Sequence, residues 1–188
     1  MFAPAARRPD LMALYAFNLE SARIAASVSE PQLGLIRQQW WLDTLDAIFG
    51  RADVPGHPVA QELARAVEQG GLPKHALRNL VMAREFDLYS DPMPDMQGLE
   101  TYLGETSSAL IQMASLVLVG PQAALCADAA GLAGVAHGLA LLLNAGDSGH
   151  LPPDLTPVAA QAHARRRLQE ARALAGALPP GALPAFLP

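Results

Sequence analysis

The sequence predicts an all-α protein, and three observations carry that prediction. Alanine and leucine, the strongest helix formers, number 36 and 30 among 188 residues. Valine, isoleucine and threonine, which favour strands, total only 17. No stretch alternates apolar and polar residues over five positions, whereas proline and glycine recur at helix-length intervals. A chain of this length buries roughly 70% of its unfolded surface and needs no disulfide or metal for stability. The expected organisation is one helical domain over 1–177 and a Pro-rich C-terminal tail over 178–188.

The elements follow in order. A first helix runs from about Asp10 to Val28, after Pro9. Ser29-Glu30-Pro31-Gln32 reads as the next helix start, with a capping serine, proline in the first turn and glutamine at the capping-box position. That helix continues to Phe49 and stops at Gly50. After the loop Arg51 to Gly56, His57-Pro58 opens a third helix that ends at Gly70-Gly71. Pro73 begins a fourth, ending near Asp91-Pro92-Met93-Pro94. A fifth runs from Asp95 to Val119-Gly120-Pro121, a sixth from Gln122 to Leu143 and a seventh from Pro157 to Ala177. Asn144 to Pro153 is a loop. The tail carries four prolines and is not expected to form a regular helix.

Composition narrows the function. The formal net charge of -5 and the pI near 5.4 argue against nucleic acid, whose phosphates demand a basic face. The single cysteine, Cys126, leaves no disulfide framework and fits a reducing compartment, with Cys126 as a small buried hydrophobe. The N-terminus has no apolar run before Arg7-Arg8, so no secretory signal is expected. Ala123 to Leu143 is long enough to span a bilayer, but it contains Asp128, His137 and glycines. It reads as a buried central helix in which Gly131, Gly134 and Gly138 let neighbours approach.

Candidate chemistry is sparse. Asp87 and Asp91 are spaced to share a helical face and to hold Mg²⁺ with a diphosphate, or else to form a solvated helix end. Pro92 disfavours helix at Asp91. Asp43 and Asp46 form a weaker pair on the wet side of the second helix. His137 reads as a hydrogen-bonded core histidine. Arg165, Arg166 and Arg167 make a basic patch for acidic headgroups or a partner, or simply a solvated face.

Several blocks resemble a known family. Phe2-Ala3-Pro4-Ala5-Ala6-Arg7-Arg8-Pro9, Leu14-Tyr15-Ala16-Phe17-Asn18-Leu19-Glu20 and the run from Val28-Ser29-Glu30-Pro31 to Trp40-Trp41 are similar to the opening of the squalene/phytoene synthase family. His57-Pro58-Val59-Ala60 and Ala83-Arg84-Glu85-Phe86-Asp87-Leu88-Tyr89 resemble its next blocks. The chain is most similar to the branch that holds the mitochondrial respiratory complex I assembly factor and its bacterial relatives. The resemblance implies an isoprenoid-synthase-like helical bundle around a central cavity, here shortened at both ends. Active members join two prenyl diphosphates head to head, with two Asp-rich motifs binding Mg²⁺ to neutralise the departing diphosphate. By register the first motif falls near Ala22, Arg23 and Ala26, and the second near Leu141, Asn144 and Ala145. Asp147 is left as one orphan carboxylate.

The expectation is therefore a non-catalytic family member without metal or cofactor, acting by protein contact on respiratory complex I or its assembly intermediates. Exposed cavity wall and the tail would form the interface. Trp40, Trp41 and Phe186 are the candidate anchors, because buried aromatics dominate interface energy, with core packing as the alternative. The expected location is cytoplasmic, peripheral at the inner face of the cytoplasmic membrane. The alternatives are a Mg²⁺-dependent head-to-head prenyltransferase and a carrier with a lipid or isoprenoid in its cavity.

Overall fold

A computed structural model describes residues 3–89, 91–145 and 150–186. Among them there are eight α-helices and no strand: α1 (Arg8–Arg23), α2 (Pro31–Gly50), α3 (Pro58–Gly70), α4 (Lys74–Ala83), α5 (Met96–Leu103), α6 (Ala109–Val119), α7 (Ala127–Asn144) and α8 (Pro157–Ala173). Proline occupies the first turn of α1, α2, α3 and α8, where its missing N–H costs nothing. Side-chain caps close two starts, those of α5 and α8. Asp95 accepts from the Gly98 amide at 2.7 Å ahead of α5, and Thr156 from the Ala159 amide at 3.2 Å ahead of α8. The capping box expected at Ser29-Glu30 is absent: Glu30 precedes α2 with no side-chain cap.

Several boundaries differ from the expectation: the expected fifth helix is two, α5 and α6, joined by the turn Gly104–Ser108; a 3₁₀ run, Gly120–Cys126, delays α7 to Ala127; and α8 ends at Ala173, ahead of a 3₁₀ turn, Ala175–Ala177. The first helix ends at Arg23 and continues only as a 3₁₀ turn, Ala25–Ser27. The fourth ends at Ala83, and a second 3₁₀ turn, Phe86–Leu88, carries Asp87. The second helix ends at Gly50 as expected, and Arg51 just beyond it takes the left-handed conformation at φ 55°. The tail, expected not to form a regular helix, forms no α-helix over its described residues. Pro180–Phe186 winds into 3₁₀ structure and packs on α6, with Ala182 and Ala185 buried. Pro180 and Pro184 still fit, because a short 3₁₀ run needs few amide donors.

Two apolar clusters make the core. The larger joins α1, α2, α3, α4 and α6, with Leu14, Phe17, Leu45, Leu63 and Leu77 fully buried. Phe17 meets Trp41 edge to face at 5.1 Å, an arrangement that aromatic quadrupoles favour. The smaller cluster joins α5, α7 and α8 with Met93 and Leu151. Cys126 is buried and free.

Helix α7 lies centrally, against α5, α6, α8 and a π-helical turn at Gly104–Ser108 that links α5 to α6. The close crossing is glycine-dependent. A Cβ at Gly134 would overlap the backbone and hydroxyl of Ser108, and one at Gly138 would sit 2.5 Å from Leu103 Cδ2. At Gly131 a Cβ meets nothing, but its carbonyl accepts from Ser108 Oγ at 2.9 Å. The helical run 96–144 is long and apolar enough to cross a membrane by length and composition. It is not one rod, because α6 and α7 pack on each other across the turn at Gly120 (φ 59°).

Candidate functional site

Ala22, Ala25 and Ala26, at the end of α1, line a pocket of about 220 Å³ together with Phe86, Met93 and Leu142. Its polar wall is Arg84, Asp87, Tyr102 and His150. Arg84 Nη1 donates to Asp87 Oδ2 at 3.2 Å and to the Tyr102 hydroxyl at 2.9 Å. Tyr102 in turn donates to Asp87 Oδ1 at 2.7 Å. Burial pushes the Tyr102 phenol far above its ordinary range, so it stays protonated and keeps donating. Phe86 closes the set with its ring against Tyr102 and His150, at 6.1 and 5.5 Å.

This is the place where the resemblance puts the first Asp-rich motif, and the residues present do not fit a Mg²⁺ site. Mg²⁺ takes carboxylate oxygens that are free to coordinate. The one carboxylate in this wall, Asp87, is already engaged by a guanidinium and a phenol on both oxygens. Among the described residues no group of three His, Cys, Asp or Glu side chains is placed to hold a metal ion. The expected pairing of Asp87 with Asp91 also fails. The helix has ended before Asp87, and Asp91 lies exposed in the loop ahead of Pro92. Asp147 lies outside the described residues.

A second space, about 420 Å³, opens between α7, α8, the π-turn, α1 and the tail. Its wall is mostly apolar, with Leu110, Ile111, Ala133, Ala136, Leu143 and Leu168 prominent. His137 is part of this wall rather than a hydrogen-bonded core group, and burial pushes its imidazole below the usual range. Phe186 and Ala185 bring the tail to the same space, so Phe186 borders a chamber rather than standing free on a tail.

The arginine triplet divides by role. Arg167 pairs with Glu100 on α5 at 2.7 Å and with Glu170 at 3.1 Å. His163 meets the same Glu100 oxygen at 2.8 Å, and Arg166 contacts His163 at 3.1 Å. Partial burial favours the neutral Glu100 carboxyl. The bonds from Arg167 and His163 outweigh it and hold the carboxyl below its ordinary value. Arg165 has no ion pair among the described residues and lines the chamber. Asp46, expected on a wet face, ties α2 to α4 through Lys74 at 3.1 Å and Arg78 at 2.7 Å.

The two tryptophans part company. Trp41 belongs to the core, with 4% of its surface accessible, and offers nothing to a partner. Trp40 is 38% exposed and borders a groove with Arg23, Arg37 and His57. Exposed Leu33 and Ile36 precede Trp40 on the same stripe of α2. Sequence reasoning missed Tyr102 and Glu100. The Arg84–Asp87 spacing is a readable i, i+3 signal, but Tyr102 reaches that pair, and Glu100 reaches His163 and Arg167 on α8, only through the tertiary fold.

Comparison with known proteins agrees with this architecture. Residues 1–145 match the squalene/phytoene synthase family, and the chain belongs to that family. The fold is that of the isoprenoid synthases. Squalene synthase HpnC from Alicyclobacillus acidocaldarius superposes with a TM-score of 0.74 at 16% identity, covering 99% of this chain and 80% of that one. Among curated relatives, NADH dehydrogenase (ubiquinone) complex I, assembly factor 6, of Bos taurus is 38% identical over 143 residues, which is 76% of this chain and 42% of that protein. The Homo sapiens protein of that name is 37% identical over the same length. The Drosophila melanogaster homolog is 36% identical over 146 residues. The chain thus spans less than half the length of these relatives. Helix α8 and the tail lie beyond the residues matched to the family.

Proposed function

We propose that this chain is a non-catalytic member of the squalene/phytoene synthase family that acts by protein contact in the assembly of respiratory complex I, as an assembly factor or accessory subunit. One observation carries the non-catalytic half. The wall that would bear metal-binding carboxylates presents Ala22 and Ala26, and its one carboxylate, Asp87, is neutralised by Arg84 and accepts a hydrogen bond from Tyr102. Without cations a departing diphosphate has nothing to balance its charge. The names of the 35–38% identical relatives support the partner. The exposed stripe Leu33, Ile36 and Trp40 on α2 supplies an apolar surface of the kind such contacts use. Its location is then peripheral, at the inner face of the cytoplasmic membrane.

The test is co-purification. A tagged copy should travel with complex I or an assembly intermediate in native detergent, and Trp40→Ala should weaken that association. If the tagged protein never accompanies the complex, the partner is wrong. Turnover of farnesyl or geranylgeranyl diphosphate with Mg²⁺ by the purified chain would reinstate the prenyltransferase. The chamber beside α8 favours a second reading alongside the first: a lipid or isoprenoid chain occupies it.

A further inference from the structure

We infer that the chamber between α7, α8 and the tail binds single-chain amphiphiles with an anionic head group, the head held by Arg165 and the chain by the apolar wall, without a metal ion. The inference rests on the reading that the chamber takes an apolar ligand, and it adds the chemistry of the head.

Three features carry it. Among the described residues the wall contains no aspartate or glutamate, so none of them repels an anion or competes for the guanidinium. Arg165 is the member of the triplet left without an ion pair among the described residues, whereas Arg166 and Arg167 are committed to His163, Glu100 and Glu170. Its side chain borders the chamber from an exposed position, where a charged head keeps contact with water while the chain lies inside. Gln161, one turn earlier on the same face of α8, adds an amide donor to that border. His137, partly buried in that wall, favours its neutral form at pH 7, so among the described lining residues an anion finds its one cation at Arg165. The guanidinium suits carboxylate or phosphate equally, since its forked donors match either.

The experiment is calorimetric titration of the intact chain in EDTA with four probes: laurate, geranyl monophosphate and their neutral counterparts dodecanol and geraniol. Each anion should bind at least about tenfold more tightly than its alcohol, the ratio expected of a charge-assisted bond. Arg165→Gln should erase that ratio while leaving alcohol binding unchanged. Equal affinity for anion and alcohol, or a ratio that survives Arg165→Gln, overturns the head-group assignment and leaves the apolar-chamber reading standing. No binding by any probe, or binding untouched when Ala140→Trp fills the chamber, overturns both. The laurate and geranyl monophosphate arms distinguish a straight acyl chain from a branched isoprenyl one.

Discussion

At Gly134 the side chain is a single hydrogen because α7 crosses the π-helical turn at backbone distance, and any Cβ would overlap Ser108. The colliding atoms are backbone, so relaxation must move a helix. Gly134→Ala should therefore lose about 1–3 kcal/mol, as overpacked cores do, measured as a shift in the urea midpoint. Gly131→Ala is the matched control. Its Cβ meets nothing, and helix propensity alone predicts a gain of up to about 1 kcal/mol. If the two variants behaved alike, the close crossing would be wrong. The expectation that glycines admit neighbours was legible in the sequence, but which of them does so was not, because the sequence does not say where another backbone comes nearest. Asp87 teaches the same lesson. Its partner Arg84 stands three residues away and was readable. Tyr102 lies beyond two prolines and could be found only in the folded chain.

Helix α8 packs chiefly along α7, with Ala160 and Ala171 buried, and a polar clasp ties it to α5. The clasp depends on ionised Glu100, whose carboxyl is held below its ordinary value of 4.5 in the fold. A depressed carboxyl contributes stability that is present above its unfolded value and lost as pH falls through the folded one. Amide exchange along α8 should therefore accelerate selectively below about pH 4.5, while α1 and α3 stay protected. Glu100→Gln should show fast α8 exchange already at pH 7, with little further change in acid. Uniform loosening of all helices would contradict the assignment. A second element-scale effect lies at the end of α2. Arg51 holds a left-handed φ of 55° that costs a side-chain-bearing residue about 1 kcal/mol, so Arg51→Gly should stabilise by up to that amount in thermal unfolding. Proline and glycine marked most helix limits correctly, since both act locally. They misplaced the ends of α1 and α4, at Arg23 and Ala83; after Ala83 the chain turns so that Leu88 packs against Gly34, a tertiary contact.

For the molecule as a whole, the helical class and the family were legible because composition and short motifs survive on a single strand of text. The chamber was not, since its wall draws on α1, α6, α7, α8 and the tail, segments as far apart as Tyr15 and Phe186. The feature on which the non-catalytic proposal rests is also a property of the assembled fold: the Arg84 guanidinium holds Asp87 where free carboxylates would gather cations. That difference can be tested without substrate. A ligand present at 100 times its dissociation constant stabilises a fold by about 2.7 kcal/mol. For a domain of this size each kcal/mol moves the melting temperature by roughly 2–4 °C. Mg²⁺ with inorganic pyrophosphate would thus raise Tm by about 5–10 °C over EDTA if a diphosphate site were assembled. We expect no shift, because Asp87 is occupied by Arg84 and Tyr102 and alanines face it. A rise of that size, abolished by Asp87→Asn, would mean that the internal pair opens to release its carboxylate. Catalysis would then have to be restored to this fold.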